Sequence, residues 1–222
     1  AHSMRAEHAA ALEVARQCLD LAADHEHPGV SALANRFMGQ TLYYMGAFVD
    51  ARAHMERTLE LCAANPETIA TYRRFGVDDR VNALSFLAST LLFLGYPEQS
   101  AAAAQKAETG ARALGLAFTI ALSLSNIAVL GTIGGDPRRA LANADEAIAI
   151  SGENEFASPY HRARFFRGAL LAQGGDPQLG NELMRKAVAA VEGHSEWSRR
   201  SLYLCHIASS HASLGQPEVG LD

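Results

Sequence analysis

The side chains able to do acid–base, metal or phosphate chemistry are scattered along this chain. A phosphate cradle needs a glycine-rich run ending in Lys followed by Ser or Thr. The two lysines, Lys106 and Lys186, are each followed by alanine. Neither an H-E-x-x-H nor a G-x-S-x-G spacing occurs. His25-Glu26-His27 groups two imidazoles and a carboxylate, but beside Pro28 it reads as a solvated turn at a helix end. Cys205, His206 and His211 share one stretch, and five residues between two imidazoles is a poor spacing for one helix face. Cys18, Cys62 and Cys205 are odd in number and far apart, with no C-x-x-C. They are expected to be buried small hydrophobes in a reducing compartment. Asp78-Asp79 reads as either a catalytic carboxylate pair or a helix start, where negative charge is worth roughly 0.3–1 kcal/mol; the helix start is favoured. The expectation is a non-enzyme with no cofactor and no metal.

Two stretches interleave basic and aromatic residues: Tyr72-Arg73-Arg74-Phe75, and Tyr160 to Arg167, which holds Arg162, Arg164, Phe165 and Phe166. Such a pattern binds nucleic acid or an acidic peptide when its charges share a face. Arg162, Arg164 and Arg167 do not, so a solvated helix face with Phe166 in the core is the favoured alternative. The net charge of -5 also argues against DNA or an anionic membrane as the main partner.

The elements that would position any site are helical. Alanine fills 42 of the 222 positions and aromatic residues 7%. Alanine loses least on entering a helix. No apolar run approaches the roughly 20 residues that span a bilayer, and no secretory signal is visible. Ala1-His2-Ser3 ahead of Met4 reads as a cloning-vector remnant, leaving residues 4–222 as one repeat domain. The last residues, Gln216 to Asp222, begin a helix and stop, which suggests a fragment of a longer protein.

The chain repeats itself. Gly95-Tyr96-Pro97, Gly135-Asp136-Pro137, Gly175-Asp176-Pro177 and Gly215-Gln216-Pro217 recur at intervals of 40 residues, with an earlier copy lacking proline at Gly46-Ala47-Phe48. Each reads as a tight turn: glycine ends one helix, aspartate caps the next, and proline sits in its first turn. Small residues stand seven before each turn glycine (Gly39, Ala88, Ala128, Gly168, Ala208) and five after it (Ala51, Ser100, Ala140, Gly180, Gly220). They let paired helices approach closely. Met38, Leu87, Ile127 and Ile207 supply bulk eight before the turn. The unit is a repeated helix–turn–helix with a shared core.

These small columns with bulky apolar residues between them resemble the tetratricopeptide repeat, although the period is 40 instead of the family's shorter one. The expected helices are 5–25, 29–45 with 48–64, 78–94 with 97–114, 117–133 with 137–152, 158–173 with 177–192, and 196–214. The resemblance implies an all-α fold, a right-handed α-α superhelix with a concave face lined by the first helix of each pair. Arg36-Phe37-Met38-Gly39-Gln40-Thr41-Leu42-Tyr43-Tyr44-Met45-Gly46, Ala51 to Leu59, and Phe75 to Leu84 running on to the Gly95 turn narrow the likeness. They resemble the C-terminal helical repeats of large bacterial signalling ATPases. In those proteins a P-loop module and a nucleotide-cyclase or winged-helix output domain precede the repeats. The resemblance implies a cytoplasmic, non-catalytic arm for protein–protein contact or for sensing a peptide or small-molecule effector. A free-standing adaptor is the remote alternative. In this register Arg36, Gln40, Tyr43, Tyr44, Asn82, Ser85, Ser89, Ser125, Arg162 and Phe165 face the concave side. That mix suits an extended peptide or a small polar ligand. The expected partner is protein or peptide, with no direct nucleic acid or membrane contact and with homodimerisation through the ends as a further expectation.

Overall fold

The computed structural model describes residues 8–25, 27–67, 77–191 and 199–220. These residues are all-helical, with no strand among them. The helices are α1 (His8–His25), α2 (Pro28–Tyr44), α3 (Phe48–Ala64), α4 (Asp79–Phe93), α5 (Pro97–Leu114), α6 (Ala117–Ile127), α7 (Pro137–Glu153), α8 (Ala157–Gln173), α9 (Pro177–Val191) and α10 (Arg200–Ser213). Short 3₁₀ segments run over Ala128–Thr132 and Glu218–Gly220. The expected boundaries agree to within a few residues, apart from the stretches at 68–76 and 192–198 and the Glu26 side of the first turn, which lie outside the described residues.

Local chemistry accounts for the helix starts. Pro28, Pro97, Pro137 and Pro177 occupy first turns, where a missing N–H costs nothing. The Asp78 carboxylate accepts from the Val81 N–H at 2.9 Å, and Asp136 accepts from Arg138 and Arg139 at 2.9 and 3.2 Å. The turns repeat one hydrogen bond. The residue after the turn glycine donates to the carbonyl four before that glycine: Ala47 to Leu42, Tyr96 to Leu91, Asp176 to Leu171, Gln216 to His211.

The third turn departs from the sequence register. Its left-handed residue is Gly134, at φ 117°, and not Gly135. Gly135 instead makes the closing bond to the Leu130 carbonyl. The first helix of that pair stops as an α-helix at Ile127 and winds on as 3₁₀ through Thr132. A close approach to Ala140 is made by Gly131, where a Cβ would lie 2.4 Å from the Ala140 Cβ. Two adjacent glycines let the turn close one residue early without strain.

Elsewhere the small columns meet as expected. Ser100 Oγ donates to the Ala88 carbonyl at 2.7 Å. A Cβ on Gly180 would lie 2.5 Å from the Gly168 carbonyl oxygen. Neighbouring helices pack in chain order, and the first helices α2, α4, α6, α8 and α10 also pack on one another in sequence. The core between the helices falls into two main clusters and a small one at Ala32 and Cys62. The first holds Tyr43, Met55, Leu87, Leu124 and Ile127, and the second holds Phe165, Phe166 and Met184. Of the cysteines only Cys62 is buried; Cys18 is half-buried and Cys205 exposed, which corrects the expectation that all three are core residues. Cys205 lies on an exposed part of α10.

Candidate functional site

The first helices carry polar side chains at their mutual contacts, and each junction is bridged. Between α2 and α4, the Arg36 guanidinium donates through Nε to the Asp79 carboxylate and through Nη1 to Gln40 at 3.2 Å. Between α4 and α6, the hydroxyls of Ser85 and Ser123 lie 3.0 Å apart. Between α6 and α8, Arg162 donates to Asn126 Oδ1 at 3.0 Å. Between α8 and α10, the rings of Phe165 and Tyr203 stack with centroids 3.9 Å apart. Each bridge offsets part of the cost of burial; an unbonded buried amide or hydroxyl costs roughly 1–3 kcal/mol.

The ten residues expected to face the concave side are not an open lining. Arg36, Tyr43, Asn82, Ser85, Ser89, Ser125, Arg162 and Phe165 are all buried, and Gln40 and Tyr44 are half-buried. Ser125 bonds its own helix at the Leu122 carbonyl. Arg162 is not on a solvated helix face as its neighbours in sequence suggested. It points inward, Arg164 lies over the Tyr160 ring, and Arg167 pairs with Asp145 on α7.

Arg199, just before α10, reaches the centre of this face. Its Nη2 donates to Asn126 Oδ1 at 2.8 Å, and its guanidinium carbon lies 5.5, 5.7 and 6.0 Å from the ring centroids of Tyr44, Phe86 and Phe166. The residue is 6% exposed. Cation–π attraction acts within about 6 Å and strengthens as water is excluded. Tyr43 completes the wall, its ring edge-on to Phe86 at 5.3 Å. Burial pushes the Tyr43 phenol above its ordinary value, while the Arg199 charge and hydrogen bonds from Ser89 and Arg199 pull the other way.

Sequence patterning does not single out Phe86, Asn126 or Arg199 as site residues, although a signal for the first two is there. Phe86, Asn126 and Phe166 stand at intervals of 40 and occupy one column of the repeat. An amide interrupting an aromatic column marks a point where an acceptor is presented between two rings. Arg199 carries no such signal, because only the fold brings it to α6.

A second polar cluster joins the second helices. Glu108 on α5 accepts from Arg139 at 3.1 and 2.7 Å and from Asn143 at 2.6 Å, both on α7. Arg112 bridges to Glu146 at 2.6 Å. Glu108, Arg139 and Asn143 rim a cavity of about 240 Å³ whose remaining walls include Leu92, Ala104, Ile127 and Leu130. Burial alone would raise the Glu108 carboxyl, but the bonds from Arg139 and Asn143 and the charges of Arg139 and Arg112 outweigh it, so the carboxyl sits below its ordinary value. A carboxylate depressed in the folded state contributes stability above its unfolded value near 4.5, and that stability is lost as pH falls below it. Glu108→Gln is therefore expected to flatten the loss of melting temperature between about pH 5 and pH 3. Parallel acid profiles for the two proteins would show the cluster to be unimportant.

Among the described residues no group of three or more His, Cys, Asp or Glu is placed to hold a metal ion, and no helix is long and apolar enough to cross a membrane. His206 on α10 is pushed down by burial, and its ring lies 6.1 Å from Phe165. It faces the core, away from any arrangement with Cys205. No protein-family model matches this chain, and no curated protein matches it either.

Proposed function

We propose that this chain is a non-catalytic helical-repeat scaffold of the tetratricopeptide type, a right-handed superhelix that mediates protein–protein contact within a bacterial signalling ATPase. The observation that carries the reading is the bridged face of the first helices. It is a continuous band of guanidinium, amide, hydroxyl and aromatic groups running across four successive junctions. Stacked repeats recognise extended partners on such faces, because every unit presents equivalent positions at a fixed spacing. Most of these groups are already bonded to one another, so a partner would meet the face at its half-buried members, Gln40 and Tyr44.

The test is the company the native protein keeps. An antibody raised to this chain, used on an extract of the source cell, should reveal a band several times 23.7 kDa or a co-purifying P-loop ATPase. A lone band near 23.7 kDa with no ATPase in the precipitate would reject the signalling-ATPase setting and leave a free-standing adaptor.

The cavity beside Glu108 favours a second reading, in which the superhelix senses a small molecule. Its volume, about 240 Å³, is at the small end for a ligand site, and its walls are apolar with a cluster of polar groups at one rim. A saturable rise in melting temperature with one class of metabolite, abolished by Ile127→Trp, would support it. Absence of any rise across a broad panel would remove it.

A further inference from the structure

Arg199 identifies what the centre of the first-helix face is shaped to hold. Three aromatic rings from α2, α4 and α8 surround its guanidinium, and the Asn126 amide oxygen on α6 accepts from it at 2.8 Å. Four different helices thus converge on one cationic side chain that is 73 residues distant in sequence from the acceptor. Each wall has a separate duty. The ring faces offer negative quadrupole to a flat cation. The amide offers the fork an acceptor oxygen. Arg162 also donates to that oxygen, which holds the amide in the orientation a second guanidinium needs. A purely structural core would be at least as stable with apolar residues here, since a buried charge has to recover its desolvation cost.

We propose that this box is a recognition site for an arginine side chain of a partner protein, and that Arg199 occupies it as an internal stand-in. The inference rests on the protein-contact reading above and names the group that such contact would engage. A partner arginine enters only when Arg199 leaves, so affinity is set by how often the box is vacated. Planarity makes the site selective, because an ammonium is a compact, strongly hydrated point charge that cannot lie flat between rings.

The probe is Nα-acetyl-arginine amide, with the corresponding lysine amide as control. Removing the stand-in by Arg199→Ala opens the box. The variant should bind the arginine amide saturably by calorimetry, at least about tenfold more tightly than the unaltered protein does. It should also bind the arginine amide at least about tenfold more tightly than the lysine amide. Adding Asn126→Leu to Arg199→Ala should abolish that binding. If Arg199→Ala alone does not fold, cooperative melting should return on adding the arginine amide and not the lysine amide. Failure of the arginine amide to bind the folded variant, or to restore the unfolded one, overturns the proposal. So does equal response to both amides, or binding that survives Asn126→Leu. The readout is independent of the signalling-ATPase setting: binding of the amide without any co-purifying ATPase would sink the setting and leave the box, and the converse would do the reverse.

Discussion

Asp79→Ala is expected to lower the stability of this protein by about 3–5 kcal/mol, the cost of leaving a buried charge without its partner. Arg36 and Asp79 have side chains only 7% exposed each, and they join α2 to the first turn of α4. With the carboxylate gone, the guanidinium keeps its bond to Gln40 and its position 4.2 Å over the Phe37 ring, neither of which neutralises it. The loss of negative charge in the first turn of α4 adds a smaller helix-dipole effect, roughly 0.3–1 kcal/mol. The double variant Arg36→Met with Asp79→Ala should recover most of the loss, because a packed apolar pair serves a buried site about as well as an ion pair. Urea unfolding followed by circular dichroism on the two single variants and the double gives the coupling directly. A loss below about 1 kcal/mol for Asp79→Ala would mean that water reaches the pair, as it does for exposed bridges.

Gly180→Ala is expected to be the most costly glycine-to-alanine change among the described residues of the second helices. The new Cβ would stand 2.5 Å from the Gly168 carbonyl oxygen, 2.6 Å from the Ala172 Cβ and 2.7 Å from the Ala172 nitrogen. Backbone cannot step aside as a side-chain tip can, so α8 and α9 must separate. Overpacking of this kind costs roughly 1–3 kcal/mol or somewhat more, against about 1 kcal/mol returned by the better helix propensity of alanine. The net expectation is a loss of about 2 kcal/mol, and a larger one for Gly180→Val. Gly39→Ala is the informative contrast. There the nearest obstacle is the tip of Met55, at 2.9 Å, with the Ala51 carbonyl oxygen at 3.2 Å. A methionine tip moves readily, so this variant should be close to neutral. Equal melting temperatures for Gly39→Ala and Gly180→Ala would show that the close approach of α8 and α9 is not what holds that pair together.

The two variants also separate two kinds of information. The glycine and alanine columns were visible in the chain because close helix crossing admits only small residues, and that rule acts at fixed distances from each turn. The same locality made the helix starts legible: a capping aspartate and a first-turn proline act within three or four residues of one another. The all-helical class followed from alanine content and the repeat. The third turn escaped this logic by one residue. Gly134 and Gly135 can each supply the left-handed position, and the choice went to Gly134 only when the preceding segment wound as 3₁₀ under α7 and α8.

The inner face shows the other limit. Column positions gave Arg36, Asn82, Ser85 and Arg162 as candidates for an open face, and all four are buried. The sequence did not tell that they meet and bury one another. Whether a side chain on such a face is open to a ligand or closed by its neighbour depends on the spacing of α2, α4, α6 and α8, a property of packing between units. Phe86, Asn126 and Phe166 lay in one column and were readable as such. Arg199 belongs to no column that would have marked it, and its bond to Asn126 spans 73 residues of chain. Local propensity and periodicity, acting over a few turns of helix, settled the elements and their order. Only the stacking of whole units, which brings residues from four repeats to one point, decided what fills the centre.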